Sequence, residues 1–311
     1  MTETPQPVVP ATRWHPRFLF FGVDGLVRSC WRAVLFIVLA LLLIKVVQGL
    51  LYTLFMGRSG LVGPFIQSAG FVVVWLLLSW ALLAVLDRRS FRALGLWFYS
   101  PWAREFAVGI GIGAGMICVV VAIQSAFGVV HYLGVTANPA VAIGNTGRLA
   151  AMFFVAAAAE EILFRGYGFQ RLVDSVGRVA AIGIFSALFG AVHLNNPSAT
   201  WLSTINTVLA GVLLAVAYLK TRALWMPIGL HWAWNYCMTA VLSLPVSGFQ
   251  FGEKLFRVEL TGPLWLSGGS YGPEGSVVLT VVGVAAIIFL ARTGRVSPSA
   301  AMLLVLESPR A

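Results

Sequence analysis

Apolar runs long enough to cross a lipid bilayer recur along this chain from Ala33 to Leu290, and no other feature constrains its folding as strongly. A helix rising ~1.5 Å per residue needs ~20 apolar residues to cross ~30 Å of hydrocarbon. Runs at 33–55, 61–86, 105–130, 149–170, 178–194, 201–219, 223–244 and 276–291 predict an all-α polytopic membrane protein with about eight transmembrane helices. The fifth run is short, and the sixth is interrupted by Ser203, Thr204, Asn206 and Thr207. Composition agrees, since 59% of the 311 residues are apolar and 10% charged, against roughly 25% charged in soluble domains. An ordinary soluble fold is excluded.

The net charge of +10 would suggest nucleic acid in a soluble domain, but here it follows the membrane topology. Arginines and lysines concentrate in alternate connections: Arg13, Arg17, Arg28 and Arg32; Arg88, Arg89, Arg92 and Arg104; Arg165, Arg171 and Arg178; Lys220 and Arg222; then Arg292, Arg295 and Arg310. The intervening connections hold only Arg58, Arg148, Lys254 and Arg257, with Lys45 inside the first span. Cytoplasmic loops carry the excess of basic residues, so both termini are expected in the cytoplasm and no nucleic-acid partner is expected. Residues 1–12 lack the pattern of a removable signal peptide. Cys30, Cys118 and Cys237 are scattered without metal-ligand spacing.

This organisation divides the chain into a cytoplasmic N-terminal segment (1–32) and N-terminal transmembrane helices (33–144). A core (145–244) follows, then an outer loop with the last transmembrane helix and a C-terminal tail (245–311). The 87–104 loop mixes charge with Phe91, Trp97, Phe98 and Trp102, which suits either the headgroup boundary or a plain connection. In the third span Gly109, Gly111, Gly113 and Gly115 make two overlapping small-xxx-small pairs, expected to let another helix of the same chain approach closely.

Charge inside the fourth span demands explanation, because a charged group at the bilayer centre costs roughly 2.5–3.5 kcal/mol on insertion scales. Four alanines, Ala156 to Ala159, precede Glu160, Glu161, Ile162, Leu163, Phe164 and Arg165. Glu161 and Arg165 are i, i+4 neighbours in the favourable order, whereas Glu160 points ~100° away and needs a partner from another helix. The small alanines would let that helix come near. Phe189 and His193 share a face of the fifth span, and His231 and Asn235 share a face of the seventh. An acid, two imidazoles and an amide donor are the components needed to activate water in a protein-lined cavity.

Glu160-Glu161-Ile162-Leu163-Phe164-Arg165, Phe189 to His193 and His231 to Asn235 reproduce, in order, the EExxxR, FxxxH and HxxxN motifs. The chain thereby resembles the CPBP family of CAAX proteases and bacteriocin-processing (Abi) proteins over roughly residues 145–240. The resemblance implies an eight-helix intramembrane endopeptidase acting on a membrane-associated peptide or protein. It implies Glu160 as the base that activates water and His193 as its assistant at the oxyanion. His231 and Asn235 would complete the pocket, with Glu161, Arg165 and Phe189 in support.

Family descriptions as metalloproteases raise a His₂Glu zinc site from Glu160, His193 and His231. The HExxH helix of zinc peptidases is absent, and the expectation is a site without cofactor. A non-catalytic bacteriocin-immunity or scaffold protein and a proton-coupled transporter are the alternatives; the latter would be expected to show repeat symmetry, and no internal repeat is found. The Arg-rich, Lys-poor composition inclines the location toward a bacterial inner membrane. Substrate identity and oligomeric state are not encoded in these motifs.

Overall fold

The computed structural model describes residues 17–22, 25–55 and 61–307. Arg13, Arg58 and Arg310 of the charge pattern, and residues 1–12, lie outside the described residues. The long elements are α1 (Ser29–Phe55), α2 (Val62–Leu82), α3 (Trp102–Ala126), β1 (Val130–Val135), α4 (Pro139–Arg165) and α5 (Tyr167–Val176). They continue with α6 (Arg178–Val192), α7 (Trp201–Thr221), α8 (Trp225–Tyr236), β2 (Phe256–Leu260), α9 (Val277–Arg292) and α10 (Ala300–Glu307).

The protein is an integral membrane protein of mostly helical build, and each of the eight apolar runs forms a helix. The expectation of eight spans is not confirmed as a count: among the described residues five helices are long and apolar enough to cross a membrane. These are Ser29–Leu51, Val62–Asp87, Trp102–Ala126, Pro139–Val176 and Trp201–Thr221, while Arg178–Val192 and Val277–Arg292 are shorter apolar helices. The shortfall has a local cause at α8, where the α-helix ends at Tyr236 and continues as a π-turn, Cys237–Val241. A π-turn of this kind commonly marks a functional segment.

The fourth helix begins ten residues before the apolar run suggests, at Pro139, whose fixed φ suits a first helical position. It breaks at Gly166, where the backbone leaves helical geometry before α5 resumes. A second departure from an all-helical reading is a short antiparallel ribbon, β1 against β2, with a register irregularity between Tyr132 and Gly134. The polar, Gly- and Pro-rich connections that carry these strands lack the apolar content to span, so their backbones pair with each other instead.

Hydrogen bonds gather the connections at two ends of the bundle. At one end Tyr132 Oη donates to the Leu242 carbonyl at 3.3 Å, and Asn196 Nδ2 to the Ser247 carbonyl at 3.1 Å. At the other, Gln170 Nε2 donates to the Leu94 carbonyl at 3.3 Å, Trp225 Nε1 to the Trp97 carbonyl at 3.0 Å and Lys220 Nζ to the Thr293 carbonyl at 2.7 Å. This second end carries the arginine-rich connections, including a buried cluster in which Arg32 and Arg171 both pair with Asp87. The 87–104 loop is folded in at Ala93 and Leu94, which are buried, while Phe98 stays 71% exposed.

Between lipid-soluble helices there is little hydrophobic driving force, so close packing and interhelical hydrogen bonds hold the bundle together. The most extensive helix contact is α3 on α8, and the glycine stripe explains it. A Cβ at Gly109 or Gly113 would collide with the Met226 or Leu230 carbonyl, whereas Gly111 and Gly115 have open space beside them. One of the two overlapping pairs therefore serves packing within the chain. The contact fixes the α8 backbone on the turn that carries His231.

Candidate active site

Three side chains from α4 and one from α8 make the polar centre. Glu161, fully buried, accepts from Arg165 Nη1 at 3.0 Å through Oε1, the i, i+4 pair that helical spacing allows. The same oxygen stands 2.8 Å from His231 Nδ1. A carboxylate can only accept, so Nδ1 carries the proton and Nε2 is left for other work. Nε2 points toward Glu160 Oε2, 3.9 Å away. That separation is too long for a direct hydrogen bond and invites a water between the two.

Glu160 stands apart from Glu161 as helix geometry requires. Its side chain is 36% exposed while that of Glu161 is fully buried, and its Oε2 is a buried atom without a protein partner. The alanines before it do admit neighbours closely: Ala157, Ala158 and Ala159 are buried. Arg165 completes its bonding on α7, donating from Nη2 to the Gly211 carbonyl at 3.0 Å. A Cβ at Gly211 would press on Ser186 of α6, so glycine here brings α6 and α7 together around the guanidinium.

Phe189 is the spacer of the site. The Arg165 guanidinium lies 4.7 Å from its ring centre, the His193 ring 4.7 Å and the His231 ring 6.1 Å. Cation–π attraction favours the first of these contacts. His193 caps the C-terminus of α6, which ends at Val192, and its Nδ1 bonds the Phe189 carbonyl at 2.7 Å. The break after His193 lets the ring turn back toward the centre of the bundle. His193, His231 and Asn235 line one cavity of about 70 Å³, large enough for several waters. Glu160 is outside that lining, beside His231 at the cavity's edge.

The cavity also has walls that sequence reasoning missed. Glu274 accepts from Trp234 Nε1 at 2.8 Å through Oε1 and from Ser247 Oγ at 3.0 Å and the Ser247 amide through Oε2. Asn206, so far an interruption of an apolar run, is 2% exposed. It donates to the Glu274 and Ser276 carbonyls, both at 2.8 Å, and accepts from Thr280 Oγ1 at 2.7 Å. A buried amide amid apolar residues was the available signal for Asn206. Glu274 gave none beyond being an acid in a Gly- and Pro-rich connection.

Among the described residues no three His, Cys, Asp or Glu side chains are grouped as metal ligands. His231 Nδ1 is committed to Glu161 and His193 Nδ1 to a carbonyl.

Residues 142–237 match the model of the type II CAAX prenyl endopeptidase Rce1-like family. This segment is similar to that family. The match agrees with the CPBP resemblance and encloses Glu160, Glu161, Arg165, Phe189, His193, His231 and Asn235. The Rce1-like segment supports a CAAX-type intramembrane endopeptidase in general, within a membrane protein family that acts on peptides. Ser247 and Glu274 fall outside the Rce1-like residues. The chain matches no curated protein and no solved structure.

Proposed function

We propose that this chain hydrolyses a peptide bond of a membrane-associated peptide or protein, with Glu160 as the base that activates water and without a metal. One relationship carries the reading: Glu160 Oε2 and His231 Nε2 stand 3.9 Å apart beside a cavity that His193, His231 and Asn235 line, with His231 Nδ1 bonded to Glu161. A water between them gives its proton to Glu160 as its oxygen attacks the peptide carbonyl carbon. The new C–O bond leaves a tetrahedral oxyanion, which the amide of Asn235, a residue of the cavity wall, stabilises. Collapse breaks the C–N bond, and the proton held by Glu160 passes to the departing amine. His193 donates its Nδ1 proton to the Phe189 carbonyl, so its Nε2 can support the oxyanion only as the imidazolium.

Glu161 and Arg165 act through His231 and the helix rather than on the substrate. The arginine-rich end of the bundle would face the cytoplasm of a bacterial cell, with both termini there.

The decisive experiment is Glu160→Gln in the full chain, assayed on acyl-anchored fluorogenic peptides. Loss of cleavage by ~10²-fold or more, with the protein still folded, is expected for a general base. Unchanged cleavage by the variant would remove Glu160 from the mechanism. Absence of cleavage by the wild type across such a peptide panel would favour the scaffold alternative.

A further inference from the structure

The cavity beside the two histidines is unequal in character. Leu213, Leu214, Leu230 and Leu279 give it an apolar inner part, while Ser247 and Glu274 form its wall at the arginine-poor end. Glu274 is a half-buried carboxylate with three hydrogen bonds from Trp234 and Ser247, which leaves lone-pair capacity unused. Among the described residues no lysine or arginine forms an ion pair with it. A carboxylate fixed by neutral donors, lacking a cation and lining a cavity, is poised to accept one from a ligand.

We infer that Glu274 is the specificity-determining residue of the substrate cavity and selects peptides bearing a lysine or arginine next to an aliphatic residue. The aliphatic side chain occupies the leucine-lined part and the basic group reaches the carboxylate. This rests on the proteolytic reading for its substrate class, and on the cavity's own chemistry for its charge preference. The groups facing Glu274 are Trp234 from α8, Ser247 from the 242–255 connection, Asn206 from α7, Tyr271 from its own loop and His193 from α6. Of these only His193 can become cationic, so it alone competes with the incoming base. Burial holds the Glu274 carboxyl above the ordinary carboxylate range, partly offset by the Trp234 and Ser247 hydrogen bonds and by His193.

The test measures binding, so that it does not depend on turnover. The full chain in detergent, carrying Glu160→Gln, is titrated by fluorescence anisotropy with three acyl-anchored leucine-rich peptides that differ only in one residue: Lys, Gln or Glu. The Lys peptide is expected to bind at least about tenfold more tightly than the Glu peptide, with the difference shrinking as salt rises. Glu274→Gln should erase the preference, Glu274→Lys should reverse it, and Glu274→Asp should restore much of it while reporting that the loop still folds. Equal binding of the three peptides, no binding of any of them, or a preference that survives Glu274→Gln would overturn the assignment. Cleavage by the chain with Glu160 intact is scored separately, so the proteolytic reading can stand where the charge preference fails.

Discussion

Glu161 and His231, 70 residues apart in the chain, share a 2.8 Å hydrogen bond in which the acid holds the Nδ1 proton of the ring. That bond turns Nε2 toward Glu160. The two adjacent glutamates of the EExxxR motif thus face the two nitrogens of one imidazole, Glu161 at 2.8 Å from Nδ1 and Glu160 at 3.9 Å from Nε2.

Replacing Glu161 by Gln leaves the buried Arg165 guanidinium without its carboxylate and offers His231 an amide in its place. Removing one member of a buried pair costs about 3–5 kcal/mol. The expected result is a large drop in thermal stability together with at least ~10²-fold slower cleavage. A variant of unchanged stability and activity would show that the pair does not orient the ring.

Gly113 and Gly111 differ in what lies beside them, although both belong to the same stripe. Gly113→Ala drives a methyl into the Leu230 carbonyl and displaces the α8 turn next to His231, whereas Gly111→Ala meets nothing within 4 Å. The first should lower activity and thermal stability, and the second should leave both near wild type because an exposed helical Gly→Ala costs nothing sterically. Comparing the two melting temperatures and cleavage rates checks the orientation of α3.

Asp87 binds two buried arginines, Arg32 of α1 and Arg171 of α5, and so ties three segments at the arginine-rich end. Asp87→Ala strands the Arg32 guanidinium and leaves Arg171 only its pair with Asp174 at 3.2 Å, and a loss of about 3–5 kcal/mol is expected. Detergent-solubilised variant should unfold at markedly lower temperature. Combining Asp87→Ala with Arg32→Met should recover part of the loss, because the stranded charge is removed with its partner.

Lys254, in the connection before β2, has its pKa brought down to about 8 by burial. Its amine should therefore acylate with a half-maximal rate near pH 8, well below the ordinary lysine range, as read by mass spectrometry of pulse-labelled protein. Between about 8 and the ordinary 10.5 the folded chain binds fewer protons at this site than the unfolded chain, so stability rises with pH across that window. Below it both states are charged and the folded state carries the cost of burial. Lys254→Met should raise stability below pH 8 and flatten the dependence; an unaltered slope would assign it to another group.

The apolar runs and their spacing located α1 to α4 and α6 to α9, because hydrocarbon imposes a length and an internal hydrogen-bonding requirement on any segment that crosses it. Helical periodicity likewise made the Glu161–Arg165 pair and the shared face of Phe189 and His193 readable, since residues three or four apart meet by local geometry alone. Only the tertiary structure decided that His231 lies on Glu161, that Gly211 of α7 closes on Arg165 and that Gly109 and Gly113, rather than Gly111 and Gly115, meet α8. Glu274 and Asn206 entered the cavity wall for the same reason. Such contacts join segments tens of residues apart, and no local periodicity encodes which helices become neighbours or how they rotate about their axes.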